Sequence, residues 1–194
     1  MRNSLLLSVG IACSQASAQC SLPTLLNGDF EASTAHWTLS GFVCNSGGIE
    51  SGHTGLGFYI NDCGYASDPC ITTTISNLCV NNKYTLTFKA MAGFDYNYLN
   101  NDSLAVRING TLYLSQNEQC LVGQWRIFEI PFVASTTTAE LQICAETNGT
   151  DAAWTVDDFV IRRGNAVCPS DMNGDGSVDG DDVILFFERW DVGC

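Results

Sequence analysis

The chain has 194 residues, a formal net charge of −13, ten cysteines and 45% hydrophobic residues. A surface this acidic repels phosphate backbones, which argues against a nucleic-acid partner and suits an extracellular protein that carries calcium or meets neutral glycans. Ten cysteines are unusual for a reducing compartment, so the composition also argues against a cytosolic protein.

Met1-Arg2-Asn3, the apolar run from Leu5 to Ala12, and Ala16-Ser17-Ala18 have the three parts of a secretory signal peptide over residues 1–18, with cleavage expected after Ala18. The run is too short to cross a bilayer, and no other stretch approaches the ~20 apolar residues that a membrane helix needs. A secreted protein without a membrane span is therefore expected. Removal of Cys13 with the leader leaves nine of the ten cysteines, enough for four disulfides and one thiol. Cys63 and Cys70 flank a short segment, Gly64 to Pro69, and are spaced to close it as a disulfide. Cys20, Cys44, Cys79, Cys120 and Cys144 cannot be paired by spacing. Zinc is a poor alternative, because no C-x-x-C pair occurs and His36 and His53 are not near each other in sequence.

From Leu25 to Arg162 the pattern is a series of short strands. Residues 84–89, 103–108 and 126–132 alternate apolar with polar, and 139–144 and 154–161 continue the series. Turn signals stand between them at Asn109-Gly110 and Asn148-Gly149. No helix of useful length is expected before residue 180. Many short strands separated by turns predict an all-β antiparallel sandwich over residues 19–164.

Asn27-Gly28-Asp29-Phe30-Glu31 followed by Trp37, then Ile75 to Phe88, then Trp125 with Phe132, and finally Val156-Asp157-Asp158-Phe159-Val160-Ile161, resemble the jelly-roll carbohydrate-binding modules of families 4, 9 and 22 in order and spacing. The resemblance implies a jelly-roll β-sandwich that holds a polysaccharide. It also implies a structural calcium between the first and last strands, with carboxylates from Glu31 and Asp157 and a carbonyl from Gly28. Sugar recognition pairs an aromatic ring face with neighbouring polar side chains. The stretch Phe94 to Asp102 has that mixture, with Tyr96 and Tyr98 on one face if extended; contact with ligand and plain loop packing are both open for them. Tyr59 and Tyr65, near the other cysteine-rich loop, complete the candidate carbohydrate-binding set. Trp37, Trp125 and Trp154 are expected as core or rim supports.

Residues 165–194 form a second, small unit. Asp171, Asn173, Asp175, Asp179 and Asp182 stand at positions 1, 3, 5, 9 and 12 of a twelve-residue loop, with Gly176 at the sharp turn and the Ser177 carbonyl at position 7. This is the oxygen pattern of an EF-hand calcium loop, closed by Asp where Glu is usual. Val183, Phe187 and Trp190 follow at helical spacing. The loop and helix resemble a single type I dockerin repeat, whereas dockerins that bind cohesins carry two. Cys168 and Cys194 bracket the unit and are expected to pair, a closure of about 3 to 4 kcal/mol on the loop-entropy model. The C-terminal helix is a candidate handle for a protein partner.

No acid/base pair with a hydrolase signature, Ser-His-Asp order, H-E-x-x-H, P-loop or dinucleotide fingerprint occurs, so catalysis is not expected. The reading is a secreted, Ca2+-binding, non-catalytic polysaccharide-binding protein. Its alternatives are an extracellular structural or adhesion protein that uses the sandwich for protein contacts, and the accessory module of a glycoside-hydrolase system.

Overall fold

The computed structural model describes residues 21–42, 47–61, 68–93, 103–117, 122–146 and 153–164, together with Gly180, Val183, Ile184 and Phe187. The strands are β1 (Thr24–Leu25), β2 (Thr38–Ser40), β3 (Gly48–Ser51), β4 (Leu56–Asn61), β5 (Cys70–Ser76), β6 (Lys83–Ala92), β7 (Ser103–Ile108), β8 (Thr111–Asn117), β9 (Arg126–Val133), β10 (Ala139–Glu146) and β11 (Ala153–Arg163). They pair into two antiparallel sheets. A six-stranded sheet runs β1-β5-β10-β7-β8, with β2 also on β5, and a five-stranded sheet runs β3-β4-β11-β6-β9. The four helical residues at the C-terminus are exposed. The calcium-loop positions Asp171, Asn173, Asp175, Ser177, Asp179 and Asp182, and the cysteines Cys168 and Cys194, lie outside the described residues.

Alternation builds the core. On β6, Tyr84, Leu86, Phe88, Ala90 and Ala92 point inward and are buried, and they meet Leu104 and Val106 of β7 and Leu141 and Ile143 of β10 across the sandwich. Phe88 stacks on Phe128 at 5.1 Å and on Phe159 at 4.9 Å between ring centroids. Burial of each such ring is worth about 1.5 to 3 kcal/mol relative to exposure.

The last strand breaks its own alternation. Trp154 and Val156 point inward, and so do Phe159 and Ile161, which a regular period of two would send outward. A register shift against β6 between Asp157 and Val160, with Asp158 at φ 55°, absorbs the extra residue. Thus the Asp157-Asp158 pair is the bulge. Asp157 is fully buried rather than facing water.

The segment before β2 is held by one side chain. Asn27 donates from Nδ2 to the carbonyls of Ser33 and Ala35 and accepts at Oδ1 from the Ala32 N–H. Its own carbonyl accepts from Trp37 Nε1 at 2.8 Å. This turn lets Phe30 and Trp37 enter the core with ring centroids 5.0 Å apart. Asn27, Phe30, Ser33 and His36 all take positive φ, between 52° and 70°.

Cys70 and Cys144 are direct neighbours across β5 and β10, with Cα atoms 4.1 Å apart, and are disulfide-bonded. The expected Cys63–Cys70 bridge is therefore corrected. Strand register, which cysteine spacing does not report, decides the partner. Cys79 is also disulfide-bonded.

The sheet edges are blunt. β1 and β2 span two and three residues, β3 spans four, β8 shifts register between Val106 and Arg107, and β9 carries Pro131 and an exposed Glu129.

Candidate functional site

Two features stand out, on different parts of the sandwich. The first is the turn Gly52-His53-Thr54-Gly55 between β3 and β4, gripped by two carboxylates from distant parts of the chain. Asp157 Oδ2 accepts from the N–H groups of His53 at 2.9 Å and Thr54 at 3.2 Å, and its Oδ1 accepts from the Asp158 N–H at 2.7 Å. Glu31 Oε1 accepts from the Leu56 N–H at 2.7 Å. Both glycines of the turn are needed for this approach. A Cβ on Gly52 would lie 2.5 Å from Asp157 Oδ2, and one on Gly55 would lie 2.0 Å from Glu31 Oε1. Gly28 is held against the strand on its far side, since its carbonyl accepts from the Phe159 N–H at 2.9 Å and a Cβ would lie 2.2 Å from the Phe159 oxygen.

Glu31 and Asp157 thus meet at this turn, with His53, Thr54 and Leu56 as their added neighbours, while Gly28 meets Phe159, two residues along the strand from Asp157. No periodic signal marks that turn; its two glycines, three residues apart, are the trace it leaves in the sequence. The donor set is all oxygen, which suits a hard cation. Among the described residues no three His, Cys, Asp or Glu side chains cluster. A cation here would use the lone pairs that the backbone N–H bonds leave on Glu31, Asp157 and Gly28.

Burial pushes the Asp157 carboxyl above its ordinary value, and the nearby Asp158 charge adds to this. The N–H bonds from Thr54, Asp158 and His53 oppose the rise without cancelling it. A raised folded pKa means that Asp157 contributes stability in full below its unfolded value near 3.8, and that this is lost as pH rises through the folded value. In chelator, the melting temperature of wild type relative to Asp157→Asn is expected to fall as pH climbs from about 4 to 7. Parallel pH profiles for the two proteins would contradict the assignment.

The second feature is the outer face of the six-stranded sheet. Thr38, Thr72, Gln142 and Arg107 face one another across β2, β5, β10 and β7 as one polar row. Arg107 is fixed by an ion pair with Glu146 of the neighbouring strand. The adjoining row is Ser40, the Cys70–Cys144 bridge and Ala105. On the other side Thr24, Thr74, Glu140 and His36 help to line a hollow of about 460 Å³ where β1 and β2 both meet β5. These rows hold no aromatic ring. Of the expected sugar-binding tyrosines, Tyr59 is on β4, on the outer face of the opposite sheet, while Tyr65, Tyr96 and Tyr98 lie outside the described residues. The outward polar row was missed because single polar residues between buried neighbours read simply as a solvated face.

No family model matches the sequence, and no curated protein matches it. Solved structures do. A family 61 carbohydrate-binding module in complex with β-1,4-galactotriose aligns with a TM-score of 0.54 at 16% identity, covering 72% of this chain and 97% of that one. The fold is shared with carbohydrate-binding modules. A family 16 carbohydrate-binding module, module 2, aligns at 0.52 with 15% identity over 70% of this chain and 96% of its own. An adhesin domain of Lys-gingipain from Porphyromonas gingivalis aligns at 0.51 with 18% identity over 69% and 94%. At these identities the likeness establishes the jelly-roll fold of such modules for residues of the sandwich. No described helix is long and apolar enough to cross a membrane.

Proposed function

We propose that this chain is a secreted, non-catalytic polysaccharide-binding protein, with the outer face of the six-stranded sheet as its glycan surface. The fold shared with carbohydrate-binding modules carries the reading. The row Thr38, Thr72, Gln142 and Arg107 supports it, since hydroxyl, amide and guanidinium groups held at fixed strand spacing can read sugar hydroxyls. Glu140 and Glu146 leave the face without a cationic excess, so it suits neutral glycans rather than uronate or sulfate polymers. The leader-like residues 1–18 and the Cys70–Cys144 disulfide support export.

The test is affinity electrophoresis through gels containing xylan, galactan or mixed-linkage β-glucan. Retention is expected in at least one, weakened about fivefold by Gln142→Ala through the loss of a hydrogen bond worth about 1 kcal/mol. Free migration in all three would sink the reading and leave the adhesion role in its place.

Calcium belongs to the same proposal at two places. The 171–182 loop supplies the spacing of a twelve-residue site, and Glu31 with Asp157 supplies oxygens at the 52–55 turn. The ion would neutralise a buried carboxylate and tie ends of the chain that converge only in the folded state. Chelation is expected to lower the melting temperature, with Asp175→Ala removing the share due to the C-terminal loop. An identical melt with and without chelator would rule out both sites.

A further inference from the structure

The outer face of the five-stranded sheet carries a feature that the polysaccharide reading does not use. Gly48, Tyr59, Thr155 and Met91 face one another in a single row across β3, β4, β11 and β6. Trp125 directly precedes Arg126, the first residue of β9, which pairs with Ala90, so in register it continues that row beyond Met91. Its ring stands 5.7 Å from the imidazole of His53, edge to face. His53 is itself braced. Its Nδ1 lies 3.1 Å from Asp158 Oδ2, and Lys89 Nζ lies 3.3 Å from its Nε2 and 3.5 Å from the same Asp158 oxygen.

Tyr59 and Trp125 therefore close a shallow strip at its two ends, both half-buried, with half-buried Met91 between them and Thr155 buried beneath as floor. Three strand spacings place their backbones about 14 Å apart. That span is wider than one sugar ring. Glu50, which accepts from Thr155 Oγ1, and Asn61, whose Nδ2 donates to the Tyr59 hydroxyl at 2.7 Å, are the polar groups that flank the strip. Lys89 pairs with Asp158 on one side and Glu50 binds Thr155 on the other, so the border of the strip carries both signs of charge.

We infer that this strip is a second glycan-binding surface, which takes an extended, uncharged oligosaccharide and uses Tyr59 and Trp125 as platforms for two of its sugar rings. Ring faces give apolar contact to sugar C–H groups while flanking amides and carboxylates take hydroxyls. The choice of a glycan as occupant rests on the polysaccharide reading above. The two surfaces lie on opposite outer faces of a sandwich whose sheets pack about 10 Å apart, so one polymer segment cannot occupy both. The protein is then bivalent, and it bridges polysaccharide chains instead of only coating them.

The decisive experiment uses the full chain with soluble xylan, galactan and mixed-linkage β-glucan, and reads both retention in affinity gels and turbidity from cross-linking. The double variant Tyr59→Ala/Trp125→Ala is expected to lose the turbidity and to bind about tenfold more weakly, given ring contacts worth about 0.5 to 1.5 kcal/mol each. It should keep the residual binding that Gln142→Ala weakens. Met91→Glu, which sets a charge between the rings and keeps both of them, should act in the same direction, and it serves as the test if the double variant melts early. Unchanged retention and turbidity in both variants, with wild type bound, would overturn the second surface alone. Wild type bound by none of the three polymers would remove the polysaccharide reading and the second surface with it.

Discussion

Replacing Cys70 and Cys144 together by Ala should cost about 4 kcal/mol of folding stability, because the bridge closes a loop with a sequence separation of 74. For a chain of this size that is a fall of roughly 10 °C in melting temperature. The loss arises mainly in the unfolded state, where the bridge forbids most separations of β5 from β10. The native side changes little, since both sulfurs sit beside Ala105 on an otherwise intact ladder. Chemical denaturation of the double variant and the wild type under oxidising conditions measures the difference directly. A shift below about 1 kcal/mol would mean that the unfolded chain already keeps these strands together.

Asn27→Ala is expected to be nearly as damaging, at about 3 kcal/mol, from three side-chain hydrogen bonds worth about 1 kcal/mol each. Alanine also resists the φ of 52° that Asn tolerates. Asn27→Gly separates the two causes. It removes the bonds and relieves the backbone, so it should be about 1 kcal/mol less harmful than Ala. Denaturation midpoints of the two variants give the comparison, and equal values would remove the backbone part of the account. Asn27→Asp should not rescue, because it keeps the acceptor for Ala32 and loses both donors to the Ser33 and Ala35 carbonyls.

The fold was legible where the period of two was clean. Residues 84–89, 103–108, 126–132, 139–144 and 154–161 all fall inside observed strands, and the Asn109-Gly110 turn takes positive φ at both residues as expected for its type. The short β1, β2 and β3 carry too few residues to show a period, so they were covered only by the general expectation of strands from residue 25 onward. A pair such as Asp157-Asp158 in a strand ordinarily reads as a solvated strand end. The parity change from Trp154 and Val156 to Phe159 and Ile161 already contained the bulge. Its meaning needed the partner strand, because only the pairing with Lys89 and Thr87 shows one residue too many.

The candidate site was legible in part. Glu31, Asp157 and Gly28 came from resemblance; Glu31 and Asp157 both bind the segment around the 52–55 turn, and Gly28 binds Phe159. Their partners are the backbone N–H groups of the turn for the two carboxylates and of Phe159 for Gly28, and the turn is remote in sequence from both Glu31 and Asp157. Backbone donors leave no residue type to detect. Cys70 failed for a related reason. Closeness in sequence favoured Cys63, whereas ladder register brought Cys144 opposite, and register is a property of two strands rather than one.

Pro131 has a consequence for life at high concentration. An exposed sheet border is a template for another chain, and growth along it is the first step of fibril formation. The longest border strand here is β9, and Pro131 removes one of its amide donors while Glu129 sets a charge beside it. The remaining borders are only two to four residues long or shifted in register. Partner strands that tried to add would find no continuous run of donors and acceptors, so copies of this protein can crowd on a surface without sheet-to-sheet coalescence.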